Sequence, residues 1–192
     1  MPRYIAFLRA INVGGHVVKM EALRQLFEEL GFSEIETFIA SGNVAFTAPS
    51  PNVGALQQKI ERRLKDALGY AVAAFIRTEA ELAEIVRYQP FEPEVLAGAV
   101  ALNIAFLHEP PDKEAQQRLM ALRTDIDDFA VHGREIYWLC RKKQSESTFA
   151  NAVLEKTLGR PSTLRGAGTL QKIAALPQGL LRRVPAPRRR GR

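Results

Sequence analysis

Two short segments of this chain are crowded with residue types that bind anions. Arg9–Lys19 carries Arg9, Asn12, Gly14, Gly15, His16 and Lys19, and a second segment reads Ser41-Gly42-Asn43. Arg9 and Lys19 supply positive charge. Asn12, Ser41 and Asn43 supply polar groups that fix orientation, and glycines let backbone amides come close to an oxyanion. Together they make a candidate site for a small phosphate- or carboxylate-bearing ligand. The same residues also have a purely structural reading. Gly14-Gly15 makes a sharp turn, Ser41-Gly42-Asn43 is common hairpin chemistry, and asparagines satisfy loop backbone.

Known catalytic patterns do not match. Gly14–Lys19 lacks the Gly-Lys-Ser/Thr ending of a phosphate-binding loop. Ser41 lacks the glycine-flanked elbow of a hydrolase nucleophile. With no nucleophile or general base in view, no reaction is assigned. His16, His108 and His132 stand apart without metal-ligand spacing, and Cys140 is the single cysteine, so neither a structural zinc site nor a cofactor is expected. Cys140 alternates with Trp138 and reads as a small core residue. Asp125, Asp127 and Asp128 precede a strand and read as a solvated turn or cap.

These segments need elements to hold them. Tyr4–Leu8 is a short apolar run bounded by arginines, as in a buried strand. Met20, Leu23, Leu26, Phe27 and Leu30 recur at helical spacing before Gly31. Glu34–Ile39 and Val44–Thr47 read as strands flanking the Ser41–Asn43 turn. Val53, Leu56, Ile60, Leu64 and Leu68 form a second helical stripe, and Ala71–Ile76 a further strand. Thr78 and Glu81 form a capping box for a helix through Leu82 and Ile85. Gln89–Gly98, with two prolines, reads as a linker. The order then repeats. Val100–Leu107 is a strand, a helix starts at Pro110–Asp112, and strands Asp128–His132 and Glu135–Cys140 meet at Gly133-Arg134. A helix capped by Ser147 or Thr148 follows, then Ser162–Arg165 as a strand and Thr169–Leu176 as a helix.

Two successive β-α-β-β-α-β runs predict an α+β protein of two tandem ferredoxin-like modules, with helices packed on one face of each sheet. The expected boundaries are 1–88 for the first module with its linking helix, 99–177 for the second and 178–192 for a tail. A single larger mixed sheet is the rival. No residue-level similarity between the halves is visible, so the repeat reads as topological. In a split βαβ unit the loop after the first strand and the second-to-third hairpin share one end of the sheet. That would bring Arg9–Lys19 and Ser41–Asn43 together, beside the amides and positive dipole end of the helix beginning near Met20.

Charge sharpens the choice of partners. The 192 residues carry a net charge of +6, with 27 Lys and Arg against 21 Asp and Glu. Arg182, Arg183, Arg188, Arg189, Arg190 and Arg192 account for the whole excess, so the body is formally neutral. The tail is expected to be disordered and to bind nucleic acid only non-specifically, through counterion release. Arg141-Lys142-Lys143 is a smaller basic cluster that reads as a solvated loop. The short apolar run at the N-terminus and the lone cysteine predict a cytoplasmic protein without a membrane partner. Three functional readings remain at this point: a small-anion binder, a nucleic-acid-associated protein using the tail, and a non-catalytic interaction or assembly module. Oligomeric state is not specified.

Several of these blocks resemble a known family. Tyr4–Gly15, Met20–Phe32 and Thr37–Phe46 are similar to the signature of the bacterial domain of unknown function 1697 family. Ile76-Arg77-Thr78, Gly133–Tyr137, Glu155–Gly159 and Ser162–Arg165 are similar as well. The resemblance spans nearly all of residues 3–176. It implies a cytoplasmic, two-module α+β protein with no established activity. It places Arg9, Asn12, Gly14, Gly15, Ser41, Gly42, Asn43 and Arg165 in the family signature. The chain departs from the family at Lys142–Ser147, usually a glycine-rich loop, and at Gly166-Ala167-Gly168, often Asn-Trp.

Overall fold

The computed structural model describes residues 1–12, 14–38 and 42–176. Ser41, Pro177 and the six-arginine tail lie outside the described residues, and the last helix, expected over Thr169–Leu176, spans Ala167–Ala174.

The first half runs β1 (Arg3–Leu8), α1 (Met20–Glu29), β2 (Ser33–Phe38), β3 (Asn43–Thr47), α2 (Val53–Leu68), β4 (Ala74–Thr78) and α3 (Glu79–Arg87). A short α4 (Pro93–Ala97) follows, with Pro93 in its first turn, where a missing amide hydrogen costs nothing. The second half runs β5 (Ala101–Phe106), α5 (Lys113–Met120), β6 (Asp127–His132), β7 (Glu135–Cys140), α6 (Asn151–Leu158), β8 (Thr163–Gly166) and α7 (Ala167–Ala174). The capping box at Thr78 is present in full, with Glu81 accepting from the Thr78 amide at 2.7 Å and Thr78 accepting from the Glu81 amide at 3.1 Å.

Three expectations shift. The expected strand Ala71–Ile76 begins only at Ala74. Gln89–Gly98 is not wholly a linker, because α4 lies inside it. The helix expected from Ser147 or Thr148 begins at Asn151. Ser147 is engaged elsewhere: its hydroxyl donates to Asp127 Oδ2 at 2.8 Å and accepts from the Phe149 amide at 2.9 Å. Asp127 also accepts from Trp138 Nε1 at 2.7 Å. This member of the acidic cluster is therefore a buried tie between β6, β7 and the loop before α6.

The chain forms two four-stranded sheets, ordered β2-β3-β1-β4 and β6-β7-β5-β8. Every pairing is antiparallel. Strand side chains alternate between faces. Tyr4, Ala6 and Leu8 of β1 pack against Leu23 and Phe27 of α1 and Leu56, Ile60 and Leu64 of α2. In the second half Ala105 and Leu107 pack with Ala115 and Leu119 of α5 and Leu154 and Leu158 of α6. The opposite faces of the two sheets meet. Ile5, Phe7 and Phe75 pack there with Ile104, Phe106 and Tyr137, joined by Leu82 and Ile85 of α3 and Leu170 and Ile173 of α7. At its centre the Phe7 and Phe106 rings stack with centroids 4.1 Å apart. Both faces of each sheet are thus covered, which explains why Tyr4–Leu8 and Ile104–Leu107 read as unbroken apolar runs.

The repeat extends to individual residues, contrary to the topological reading above. The strand registers align Phe7 with Phe106, Asn43 with Glu135 and Arg77 with Arg165. The contacts across the joint are reciprocal, a pseudo-two-fold pattern: Arg77 bonds the Leu107 carbonyl and lies over Phe106, and Arg165 bonds the Leu8 carbonyl and lies over Phe7, on either side of the Phe7–Phe106 stack. The aligned strands β1 and β5 share four identical residues, Ile5-Ala6-Phe7-Leu8 and Ile104-Ala105-Phe106-Leu107, whereas Asn43 and Glu135 differ in kind at matched positions.

Candidate functional site

The first strand ends where the β2–β3 hairpin returns. The Leu8 amide donates to the Gly42 carbonyl at 2.8 Å, so the Arg9–Lys19 loop starts beside the hairpin. Gly42 has φ +72°, and a Cβ there would lie 2.7 Å from Ile11 Cγ2 and 3.1 Å from Leu8 Cβ. Glycine is required at this position for both conformation and close approach. Within the loop, Asn12 Oδ1 accepts from the Val18 amide at 2.7 Å. His16 stacks on Tyr70 at 3.9 Å, and the Tyr70 hydroxyl donates to the Ile11 carbonyl at 2.8 Å. Gly14 and Gly15 take φ of +69° and +86° and are exposed, and Lys19 is exposed immediately before α1.

Arg9 and Asn43 point into the joint between the halves. Arg9 Nε and Nη2 donate to Glu155 Oε1 and Oε2 of α6 at 2.5 and 2.7 Å, a bidentate pair across the two halves. Asn43 is fully buried. Its amide donates to the Phe38 carbonyl at 3.0 Å, and its Oδ1 accepts from Arg165 Nε at 2.5 Å. Both residues therefore fasten the loop and hairpin to the second half. Burial pushes the Glu155 carboxyl up, but the Arg9 hydrogen bond, the Ser162 amide, the Arg9 charge and Asn151 outweigh it and hold it below its ordinary value.

A pH dependence follows from that direction. A carboxyl depressed in the folded state contributes stability that is fully present above its unfolded value of 4.5, and loses it as pH falls through the lower folded value. We expect Arg9→Ala to unfold at a lower urea midpoint than wild type near neutral pH, by the modest amount typical of a part-exposed pair. The gap should close on acidification below the ordinary glutamate range. Urea titrations of both proteins across acid pH would show it, and a gap independent of pH would refute it.

Two buried arginines brace the joint, and sequence reasoning did not single out Arg77. It is 1% exposed and donates from Nε to Glu135 Oε1 at 2.6 Å, from Nη1 to the Ile76 carbonyl at 2.9 Å and from Nη2 to the Leu107 carbonyl at 2.8 Å. Its guanidinium lies over the Phe106 ring. Arg165 repeats this set from the other side. Its Nη1 donates to the Leu164 carbonyl at 2.8 Å, its Nη2 to the Leu8 carbonyl at 2.9 Å, and its guanidinium lies over Phe7. Burial pulls the Arg165 pKa down to about 10, so it stays charged at neutral pH. The signal for Arg77 was present in the sequence: an arginine inside an otherwise apolar strand.

A cleft of about 680 Å³ opens between α3 and the β6–β7 hairpin, lined by Arg77, Glu81, Arg87, Tyr88, His132 and Arg134. Much of its charge is internally paired, with Arg134 on Glu81 at 2.6 Å and Arg77 on Glu135. Tyr88 and His132 stack at 3.9 Å on its rim. Cys140 is buried and donates to the Lys142 carbonyl at 3.0 Å, and burial pushes its thiol pKa up, against a reactive role. Among the described residues no group of three or more His, Cys, Asp and Glu is arranged to hold a metal ion. No helix among them is long and apolar enough to cross a membrane.

Comparison with known proteins adds three findings. The model of a protein family of unknown function, DUF1697, matches residues 1–137. The conserved bacterial protein SP0830 from Streptococcus pneumoniae has a similar solved structure. It is 24% identical, with a TM-score of 0.72, over 90% of this chain and 97% of that one. No curated protein matches the chain.

Proposed function

The chain belongs to the DUF1697 family of proteins of unknown function, and we propose that it binds a small phosphate- or carboxylate-bearing ligand at the Arg9–Lys19 loop. In this reading each half is a ferredoxin-like module, 1–88 and 99–177, and the joint between them sets the loop's position. Lys19 supplies the charge and the amides of Gly14 and Gly15 the donors. Gly42 and Asn12 shape the loop, Arg9 and Asn43 anchor it to the second module, and Ser41 is a further candidate ligand group by its place in the sequence. The observation that carries the reading is the setting of Gly14 and Gly15. Both are left-handed and exposed, and a Cβ on either would meet nothing within 4 Å. Open space thus borders the glycines in a loop that Asn12 and Tyr70 hold in shape. No reaction is proposed.

A thermal-shift screen of inorganic phosphate, phosphorylated metabolites and small carboxylates tests this. Ligand at a hundred times its Kd adds about 2.7 kcal/mol to stability, a shift well above the noise of such a screen. Wild type is expected to shift and Lys19→Glu not to. A screen without a hit, or a shift kept in Lys19→Glu, would remove the proposal.

A further inference from the structure

The strand registers show one level of the sheets at which the second half has much less side chain than the first. With Phe7 aligned to Phe106, Tyr4 aligns with Asn103, and their strand neighbours align as well, Phe46 with Trp138 and Thr78 with Gly166. Tyr4 fills its position. It packs on Phe46 at 5.7 Å, and its hydroxyl donates to the Ser50 carbonyl at 2.9 Å, in the segment that enters α2. Asn103 and Gly166 replace Tyr4 and Thr78 with smaller groups. Trp138 is larger than Phe46, but its indole is drawn the other way, to Asp127 on β6. Ala101 and Ala105, the same-face neighbours of Asn103 along β5, are small too.

Asn103 is 7% exposed, and its Nδ2 is a buried donor without a hydrogen-bond partner, the one such side-chain atom among the described residues. Leaving a buried donor unmade is costly, and native folds rarely do so. Its place in the sheet puts it under the entrance to α6. The face that carries Asn103 also carries Ala105 and Trp138, which share a core with Phe149 and Leu154. Phe149 packs on Trp138 at 4.9 Å and stands two residues before Asn151, where α6 begins. Asn103 thus faces the start of α6 as Tyr4 faces the start of α2.

The two helix entrances also differ in their caps. Asn52 caps α2, its side chain accepting from the Ala55 amide at 2.9 Å. Ala150 stands at the N-cap of α6 and has no acceptor, so the opening amides of α6 have no side-chain cap. Lys142 and Lys143 are exposed on the loop before it, and among the described residues neither has a carboxylate within 4.0 Å. The acids of this region are engaged: Glu146 accepts from the Lys143 amide at 3.2 Å, and Asp127 from Trp138 and Ser147.

We propose that a small oxyanion, with a carboxylate or phosphate oxygen, binds at the entrance to α6. It accepts from Asn103 Nδ2 on the sheet side and from the opening amides of α6 on the helix side. Both of these groups donate, so the occupant must accept. The positive end of the helix, with Lys142 and Lys143, favours one that carries negative charge. The site shares no residue with the Arg9–Lys19 loop, so either can fail without the other.

The test is an NMR titration of the full chain with acetate and, separately, with inorganic phosphate, following the Asn103 side-chain amide and the amides of Asn151, Ala152 and Val153. These signals are expected to shift together and saturate with one Kd in at least one titration. Affinity should fall about tenfold in Asn103→Leu, as for loss of one hydrogen bond to a charged group. Ala150 is exposed, so Ala150→Asp leaves the core intact and supplies the missing cap. It should melt higher than wild type and lose the saturable shift, because the chain's own carboxylate then holds the amides. Shifts that do not saturate would mean an adventitious ion only and overturn the site. Equal affinity in wild type and Ala150→Asp would overturn it too, and no shift with either anion would show that water suffices for Asn103. Movement of the Gly14 and Gly15 amides alone would support the loop reading and refute this one.

Discussion

Arg77→Ala is expected to lower folding stability by about 3–5 kcal/mol, as measured by urea unfolding. The side chain sits inside β4 with 1% of its surface exposed and satisfies Glu135 and two carbonyls at once. Truncation leaves Glu135 buried without its countercharge and the Leu107 carbonyl without a donor. The penalty comes from those orphaned groups more than from the lost attraction, because burying an ion pair costs nearly what the pair returns. The double substitution Arg77→Met/Glu135→Leu should therefore recover most of the loss. A double variant as unstable as Arg77→Ala would show that the bonds to carbonyls, and not the charge pair, hold the joint. The comparison with Arg165 is informative. Asn43 stands there in the place of Glu135, and a neutral amide offsets less of the burial of a charge. That agrees with the depression of the Arg165 pKa to about 10.

Phe27→Ala should cost a similar amount, about 3–5 kcal/mol. Phe27 is fully buried on α1 and packs edge-on against Phe46 at 5.4 Å and Phe32 at 6.1 Å. Its packing lies wholly in the first half, in the layer between α1, α2 and their sheet. Its effect on the second half therefore measures how strongly the joint couples the two.

Most of the elements could be read from the residues. Leu23 and Phe27, and Leu56, Ile60 and Leu64, bury the faces that their spacing predicts. The Thr78–Glu81 box caps α3, and Gly69 ends α2 in the left-handed conformation. These signals are local, and local physics sets them. What could not be read depends on the contact between the sheets. Arg9 looked like a free cation beside glycines, and its partner Glu155 lies 146 positions away. Asn43 looked like a turn residue, yet it receives Arg165 from 122 positions away. Ser147 looked like a helix cap, but Asp127 draws it into the second core. No spacing rule within one half reports a partner in the other. Arg77 and Arg165 occupy equivalent places, but Glu135 and Asn43 serve them. The candidate loop was visible because glycine and charge cluster in sequence.

Stacked Phe7 and Phe106, flanked by two arginine braces, are expected to make the halves unfold as one cooperative unit. The chain has one tryptophan, Trp138, buried in the second half among Phe129, Phe149 and Leu154. Its fluorescence reports the second core, while far-UV circular dichroism reports both halves. The deciding measurement is urea unfolding of Phe27→Ala followed by both signals. If the halves unfold together, the Trp138 transition moves to the same lower midpoint as the dichroism. A Trp138 transition that stays at the wild-type midpoint while the dichroism splits into two steps would contradict the account.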